Sequence, residues 1–365
     1  MNIVYISCLS GNKSAGLTYS VPSQIESQSK VDNVFWYNLD PGYRQDNVGS
    51  VKCYSIIEFP EIKVSKLPPP FNCPDIVIFE GVYFINYYKI GKELKHLNIP
   101  YVIIPRSSLT KDAQQTKNLK KRIANHLFFN KFVNNAVSVQ YLTEEEYKES
   151  GEKWNNNPLI IPNGTHKKVK RKLFKKSDNL KGVFIGRLDI YQKGLDLLLE
   201  ACAVLKDEMK ATNCTIDIYG PDQQGSKNSI NQLIKKYELE ECIHVYDAIF
   251  GEHKEKIILE SDFFILTSRF EGHPMGLIEA LSYGLPCLVT QGANMLDEIS
   301  LYEAGWTAKT DTTSIIKAFK QLLNEKANLS MKGKSALELS QKYDWDEIAK
   351  VSSDKYKKMV GFAIQ

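Results

Sequence analysis

The sequence predicts an α/β protein built from two doubly wound parallel sheets, one per domain. Three observations lead there. At 365 residues, the chain exceeds what one hydrophobic core usually organises. Short apolar runs recur along its length and read as buried parallel strands. The stretches between them carry helical apolar spacing, so strand and helix alternate.

Residues 2–8 are the first expected strand. That run is too short for a signal peptide, and no run in the chain is long enough to cross a bilayer. The following loop, 10–18, nearly fits the phosphate-binding pattern G-x-x-x-x-G-K-[ST]. Leu17 stands where the Lys belongs, which argues against a P-loop ATPase. A helix to about residue 29 comes next, then strands at 33–38 and 55–58 and a loop imposed by Pro68, Pro69 and Pro70. A strand at 75–80, a helix at 83–97 and a strand at 101–104 complete this half. Ligands of such sheets bind at strand C-terminal ends, where Gly16, Glu80 and Arg106 fall.

Lys111, Lys117, Lys120, Lys121, Arg122 and Lys131 alternate with Leu119, Ile123, Leu127, Phe128, Phe129 and Phe132. This is a basic amphipathic helix over 111–132. Either its apolar face packs on the first sheet, or its basic face meets an anionic membrane, each cation contributing about 1 kcal/mol. No nucleic-acid motif accompanies the charge, and the net charge is only +4, so nucleic acid is not an expected partner. A strand at 138–142 and a capping box from Thr143 to Glu146 follow. Pro162-Asn163-Gly164 closes the first domain. The run from Lys167 to Lys176 is too charged for a core and reads as an exposed linker.

The second domain, 165–344, opens with a strand at 182–185, then Gly186-Arg187-Leu188 and Lys193-Gly194-Leu195-Asp196. Helices are expected at 196–208, 228–237, 252–259, 312–323 and 335–342, and strands at 215–219 and 244–246. The run 263–266 leads through a loop broken by Gly272 and Pro274 into a helix from Met275, stopped by Gly284 and Pro286, before a strand opens at 288. Here the amides of Gly276 and Leu277 lie at a helix start and suit a phosphate. Glu279, one turn in, can accept from ribose hydroxyls, and Glu271 can reach the group beyond. A final helix, 345–365, completes the first domain, 1–164.

The seven cysteines are scattered, odd in number and without a C-x-x-C pair, which points to a reduced, cytoplasmic chain. The only D-x-D, at 344–346, starts a helix, so neither metal nor cofactor is expected.

Glu271 and Glu279 make an E-x7-E pattern with Gly-His-Pro-Met-Gly-Leu-Ile between them. Together with Gly-Arg-Leu and Lys-Gly-x-Asp, this resembles the retaining glycosyltransferases of the GT-B fold, family 4, the group 1 type of bacterial capsule and exopolysaccharide synthesis. The resemblance implies two Rossmann-like domains facing a cleft, with Arg187 and Lys193 holding a donor diphosphate. It also implies Gly16, Gly276, Leu277 and Glu279 on the donor, Tyr246 and Ala248 near its base, and Glu271 as a catalytic residue at the sugar. The donor is a nucleotide-sugar, with UDP favoured, and the acceptor a glycan or lipid-linked oligosaccharide. Pro105-Arg106-Ser107-Ser108-Leu109 is similar to a Pro-Arg-Gly-x-Leu element of these enzymes, with Ser107 at the glycine. Glu80 and Arg106 stand where relatives carry a sugar-contacting His. Other readings are a non-catalytic GT-B subunit and a nucleotide-sugar epimerase.

Overall fold

The computed structural model describes all residues except 12–15, 44–46, 116–117, 152, 155–156, 176 and 364–365. It divides into two units, Met1–His166 with Trp345–Gln365, and Lys167–Asp344.

The first unit holds β1 (Asn2–Ser7), β2 (Asn33–Asn38), β3 (Asn47–Val48), β4 (Val51–Ser55), β5 (Ile76–Glu80), β6 (Tyr101–Ile104), β7 (Ser138–Tyr141) and β8 (Pro158–Ile160). The sheet order is β3-β4-β2-β1-β5-β6-β7-β8, parallel throughout except for the β3–β4 pair. Every residue of β5 and β6 is buried, because helices cover both faces and remove the need for alternation. The third strand lies earlier than the expected 55–58. The Glu58 carboxylate accepts the Ser55 amide at 2.9 Å, which turns the chain there and leaves Ile57 68% exposed. Pro158 opens an edge strand that the sequence reading missed, at a place where a missing N–H costs nothing.

The basic segment is not one helix. It runs as Lys111–Gln115, Asn118–Ala124, a π-helical turn Asn125–Phe129, and Asn130–Asn134. The π turn rotates the apolar stripe. At its end Phe129 meets Tyr83 at 5.0 Å, and beyond it Phe132 meets Phe79 at 5.1 Å and Tyr101 at 5.5 Å. Before and within the turn, Leu119, Ile123 and Leu127 face solvent, at 72%, 54% and 55% exposure. Lys117 lies outside the described residues.

The last helix, Trp345–Ala363, buries Trp345, Ile348 and Tyr356 in the first unit. Ser27 Oγ donates to Asp346 at 2.7 Å, and the Tyr356 hydroxyl donates to Gln140 at 2.6 Å.

The second unit holds β9 (Leu180–Ile185), β10 (Cys214–Tyr219), β11 (Ile243–Tyr246), β12 (Phe263–Leu266), β13 (Cys287–Thr290) and β14 (Gly305–Ala308), in the order β11-β10-β9-β12-β13-β14. All pairs are parallel. The strand order reverses between β9 and β12, so the crevice for a ligand opens at their C-terminal ends. The expected helix 196–208 breaks after Val204 into Leu195–Val204 and Lys206–Ala211, and the expected 335–342 begins earlier, as Leu329–Ser340. The basic linker is only half exposed. Val169 and Leu173 are exposed, but Lys172 is buried against Asp262 at 3.0 Å, and its amide donates to Tyr283. Lys167, Lys168 and Lys170 also pair with carboxylates of the second unit, those of Asp344, Glu279 and Glu255.

Candidate functional site

In the second unit, the loops leaving β9 and β12 are fastened to each other. Arg269 grips both carboxylate oxygens of Asp196 at 2.7 Å each, and its guanidinium lies 4.5 Å from the centre of the Tyr191 ring. Such a planar two-pronged pair fixes orientation as well as distance. The Arg269 amide donates to Gln192 O at 2.8 Å, and the Thr267 hydroxyl donates to Gly194 O at 3.0 Å. Gly194 makes this closeness possible. Its φ is +58°, and a Cβ there would stand 2.1 Å from Thr267 O. Sequence reasoning missed the Arg269–Asp196 pair, although Asp196 lies inside the Lys-Gly-x-Asp motif.

The fastening brings together the cations and the carboxylate that the sequence picked out. Arg187 Nη2 donates to Gln192 Oε1 at 3.1 Å. Lys193 Nζ lies 2.5 Å from Glu271 Oε1, with side chains 12% and 9% exposed. Ser268 Oγ donates to the same oxygen at 2.6 Å, and Asn294 donates to the Glu271 carbonyl, which holds the loop beneath it. Lys193 and Glu271, expected to hold different parts of a ligand, are thus each other's partner.

The helix Met275–Ser282 starts at the same crevice, with Pro274 as its N-cap. Pro274 O accepts both the Leu277 and the Ile278 amides at 3.1 Å. The expectation of an unpaired Leu277 amide is therefore corrected. Pro274 already closes the first turn, and the amides at the open end are those of Met275 and Gly276. A Cβ on Gly276 would come within 3.0 Å of Ile185 O, so glycine lets this helix sit close against β9. Glu279 is not bare. Lys254 Nζ donates to its Oε2, and Lys168 Nζ lies 3.5 Å from its Oε1. Tyr246 ends β11 on the same side of the sheet, 42% exposed, stacked 4.7 Å from Tyr219 with planes 16° apart. Burial pushes the Tyr219 hydroxyl up to about 12. Ala248 is half-buried in the loop that follows. Among the described residues, no three of His, Cys, Asp and Glu are grouped to hold a metal ion.

In the first unit, Gly16 precedes the helix Leu17–Ser29 and accepts its first amides from Tyr19 and Ser20. A Cβ at Gly16 would meet nothing within 4 Å, so local packing does not require glycine there. Most of its loop, 12–15, lies outside the described residues. Glu80 and Arg106 do come together, but as a buried ion pair at 2.9 Å with side chains 2% and 6% exposed. Arg106 also donates to Gln24 at 2.6 Å and to Asn163. The ion pair forms because β5 ends beside β6 and aims Glu80 at Arg106. Burial holds the Glu80 carboxyl above the usual range even though Arg106 pulls it down, and Glu80 Oε1 has no partner among the described residues. Arg106 and Ser107 have φ of +52° and +64°. Ser107 therefore has a backbone conformation that favours glycine. Its amide donates to Glu146 Oε1 at 2.5 Å, and the Leu142 amide donates to Glu146 Oε2 at 2.6 Å. Thr143 caps the helix as expected, while the Glu146 carboxylate serves these two neighbouring amides.

Residues 165–340 match the family model of Glycosyl transferases group 1. The chain is 29% identical over 123 residues to the amylovoran biosynthesis glycosyltransferase AmsK of Erwinia amylovora, covering 32% of this chain and 29% of that protein. It is 28% identical over 142 residues to the putative colanic acid biosynthesis glycosyltransferase WcaL of Escherichia coli K12, covering 36% and 34%. The match spans about a third of the length of these relatives. Among solved structures, sucrose-phosphate synthase (tll1590) from Thermosynechococcus elongatus superposes with a TM-score of 0.77 at 16% identity, covering 100% of both chains. Anabaena Alr3699/HepE in complex with UDP-glucose gives 0.71 at 14% identity, covering 98% of this chain and 100% of that one. At such identities the likeness concerns the fold, which is GT-B.

Proposed function

From the match of residues 165–340 to the Glycosyl transferases group 1 model, we propose that this chain is a retaining glycosyltransferase. It moves a hexose or N-acetylhexosamine from a nucleoside-diphosphate sugar to a glycan or lipid-linked acceptor in bacterial surface polysaccharide assembly. One observation carries the reading: the fastened loops of β9 and β12 hold Arg187, Lys193 and Glu271 on one rim, at the sheet's topological switch point. The polysaccharide setting follows the relatives AmsK and WcaL. A UDP-sugar is favoured because the similarly folded HepE was solved with UDP-glucose.

In this reading the diphosphate lies across Arg187, Lys193 and the Gly276 end of its helix. The C1–oxygen bond breaks with its electron pair moving to the distal phosphate, whose growing charge the two cations stabilise. One such contact contributes several kcal/mol. The acceptor hydroxyl bonds to C1 on the same face, and its proton goes to the departing phosphate oxygen. Lys193, once taken by the diphosphate, leaves Glu271 to accept from sugar hydroxyls. Glu279 faces the ribose, and Tyr246 and Ala248 lie toward the base. These protein groups supply the positive charge, so the reading calls for neither metal nor cofactor. We place the enzyme in the cytoplasm. Leu119, Ile123 and Leu127, with Lys120, Arg122 and Lys131 beside them, rest on the anionic inner face of the membrane.

A thermal-shift panel of nucleoside diphosphates and nucleotide-sugars tests the reading. A ligand at 100 times its dissociation constant adds about 2.7 kcal/mol of stability. We expect a shift with one nucleotide family that is lost in Arg187→Ala. No shift with any of them would replace the transferase by a non-catalytic GT-B subunit.

A further inference from the structure

We propose that Lys254 and Lys168, which lie outside every motif above, form with Glu279 a reader of a vicinal diol and set a preference for ribonucleotides over 2′-deoxyribonucleotides. The inference rests on the donor reading, in which Glu279 faces the ribose, and gives the two lysines their part in it.

The three groups come from three elements. Lys254 lies on the helix Gly251–Glu260, Glu279 on Met275–Ser282, and Lys168 on the extended segment before β9. One lysine serves each carboxylate oxygen, Lys254 at Oε2 and Lys168 at Oε1. Their side chains are 24%, 22% and 23% exposed, open enough to meet a ligand yet shielded from bulk water. The position of Lys168 is built in by its surroundings. Its Nζ lies 5.1 Å from the centre of the Tyr283 ring. Tyr283 donates to Glu255 at 3.3 Å, Lys170 pairs with Glu255 at 2.6 Å, and Lys172 pairs with Asp262 at 3.0 Å. Before Lys168, Lys167 pairs with Asp344 at 3.5 Å, so the segment is held on both sides.

A lone carboxylate satisfies only half of a diol. Each hydroxyl donates one hydrogen bond and also accepts, and an ammonium group has three donors and no acceptor. Lys254 spends one N–H on Glu279 and keeps two for hydroxyl oxygens, and Lys168, an ion pair at 3.5 Å, keeps its donors as well. The pair of ribose hydroxyls can then donate to the carboxylate and accept from the lysines. A 2′-deoxyribose leaves a charged group without its partner, which a half-buried site penalises. Lys254 acts as a positioning residue for Glu279 and as a specificity determinant.

Isothermal titration with UDP, ADP and GDP and their 2′-deoxy forms tests this on wild type, Lys254→Met, Lys254→Arg and Lys168→Met. For wild type we expect the ribonucleotide to bind at least about tenfold more tightly. In Lys254→Met the ratio should fall toward one, Lys254→Arg should keep most of it, and Lys168→Met should lose part. A plain surface ion pair would shift the melting temperature of Lys254→Met and leave the ratio intact, and that outcome overturns the proposal. Equal binding of both forms by wild type overturns it too, while the donor reading stands. Binding of no nucleoside diphosphate by wild type removes the donor reading and this inference with it. If Lys254→Met does not fold, the ratios in Lys254→Arg and Lys168→Met decide.

Discussion

Ser107 occupies a backbone conformation that its own side chain opposes. At φ +64° an L-residue is strained by roughly 1–2 kcal/mol relative to glycine. Ser107→Gly should raise the unfolding free energy by about 1 kcal/mol, read from urea denaturation. What holds the serine there is Glu146, whose buried carboxylate takes the Ser107 amide. Burial, partly offset by these amides, keeps the Glu146 carboxyl above the usual range. The folded chain therefore holds a proton longer than the unfolded one. Its stabilisation is full below the unfolded value and is lost as pH rises through the raised one. Glu146→Gln should flatten this fall in a pH series of melting temperatures, and an unchanged slope would assign the titration elsewhere. Arg106→Ala leaves Glu80 buried without its partner and should cost about 3–5 kcal/mol. The sequence offered Arg106 as a ligand contact and did not show its buried pairing with Glu80. Neither spacing nor composition shows that β5 and β6 end side by side, which alone decides its role.

The elements that the proposed function places on the donor are the two loops at the switch point of the second sheet. Their motifs are legible because a diphosphate donor would demand Arg and Lys at fixed offsets from a strand end. The fastening between them is not legible, since Asp196 and Arg269 are 73 residues apart and meet only through the fold. Gly194→Ala tests the fastening. Its Cβ would collide with Thr267 O, so the loops must part, at a cost of roughly 1–3 kcal/mol. We expect a lower melting temperature and, in addition, loss of the nucleotide-induced shift. A shift retained at wild-type size would show that loop spacing does not matter to the site. The basic segment yields a different expectation. Helical periodicity made it one amphipathic helix, but the π turn divides it into an outward stripe and an inward one. Leu119→Ser with Leu127→Ser should leave the unfolding free energy within about 0.5 kcal/mol of wild type. The same pair should weaken binding to anionic vesicles in a flotation assay, and unchanged flotation would remove the membrane from the proposed function.

At the scale of the molecule, alternation of strand and helix revealed two parallel sheets and the edge strand β11, but not every edge. The short strands Pro158–Ile160 and Gly305–Ala308 carry too few residues for a pattern, and pairing with a neighbour defines them. The final helix belongs to the unit at the other end of the chain, where Tyr356 is completely buried. A fragment of residues 167–344 should unfold cooperatively on its own. A fragment of residues 1–166 should lack a cooperative transition by circular dichroism until a peptide of residues 345–365 is added.

This ordering also sets a timetable for biosynthesis. On the ribosome, the first unit stays unfinished until the second has already emerged, because its missing wall, the helix from Trp345, is translated after residues 167–344. For that interval the apolar strands at the start of the chain lack a cover, and closing them requires contacts between distant parts of the polypeptide, which form slowly. The nascent protein is thus most exposed to aggregation and to chaperones early, and its second half is the first to reach safety.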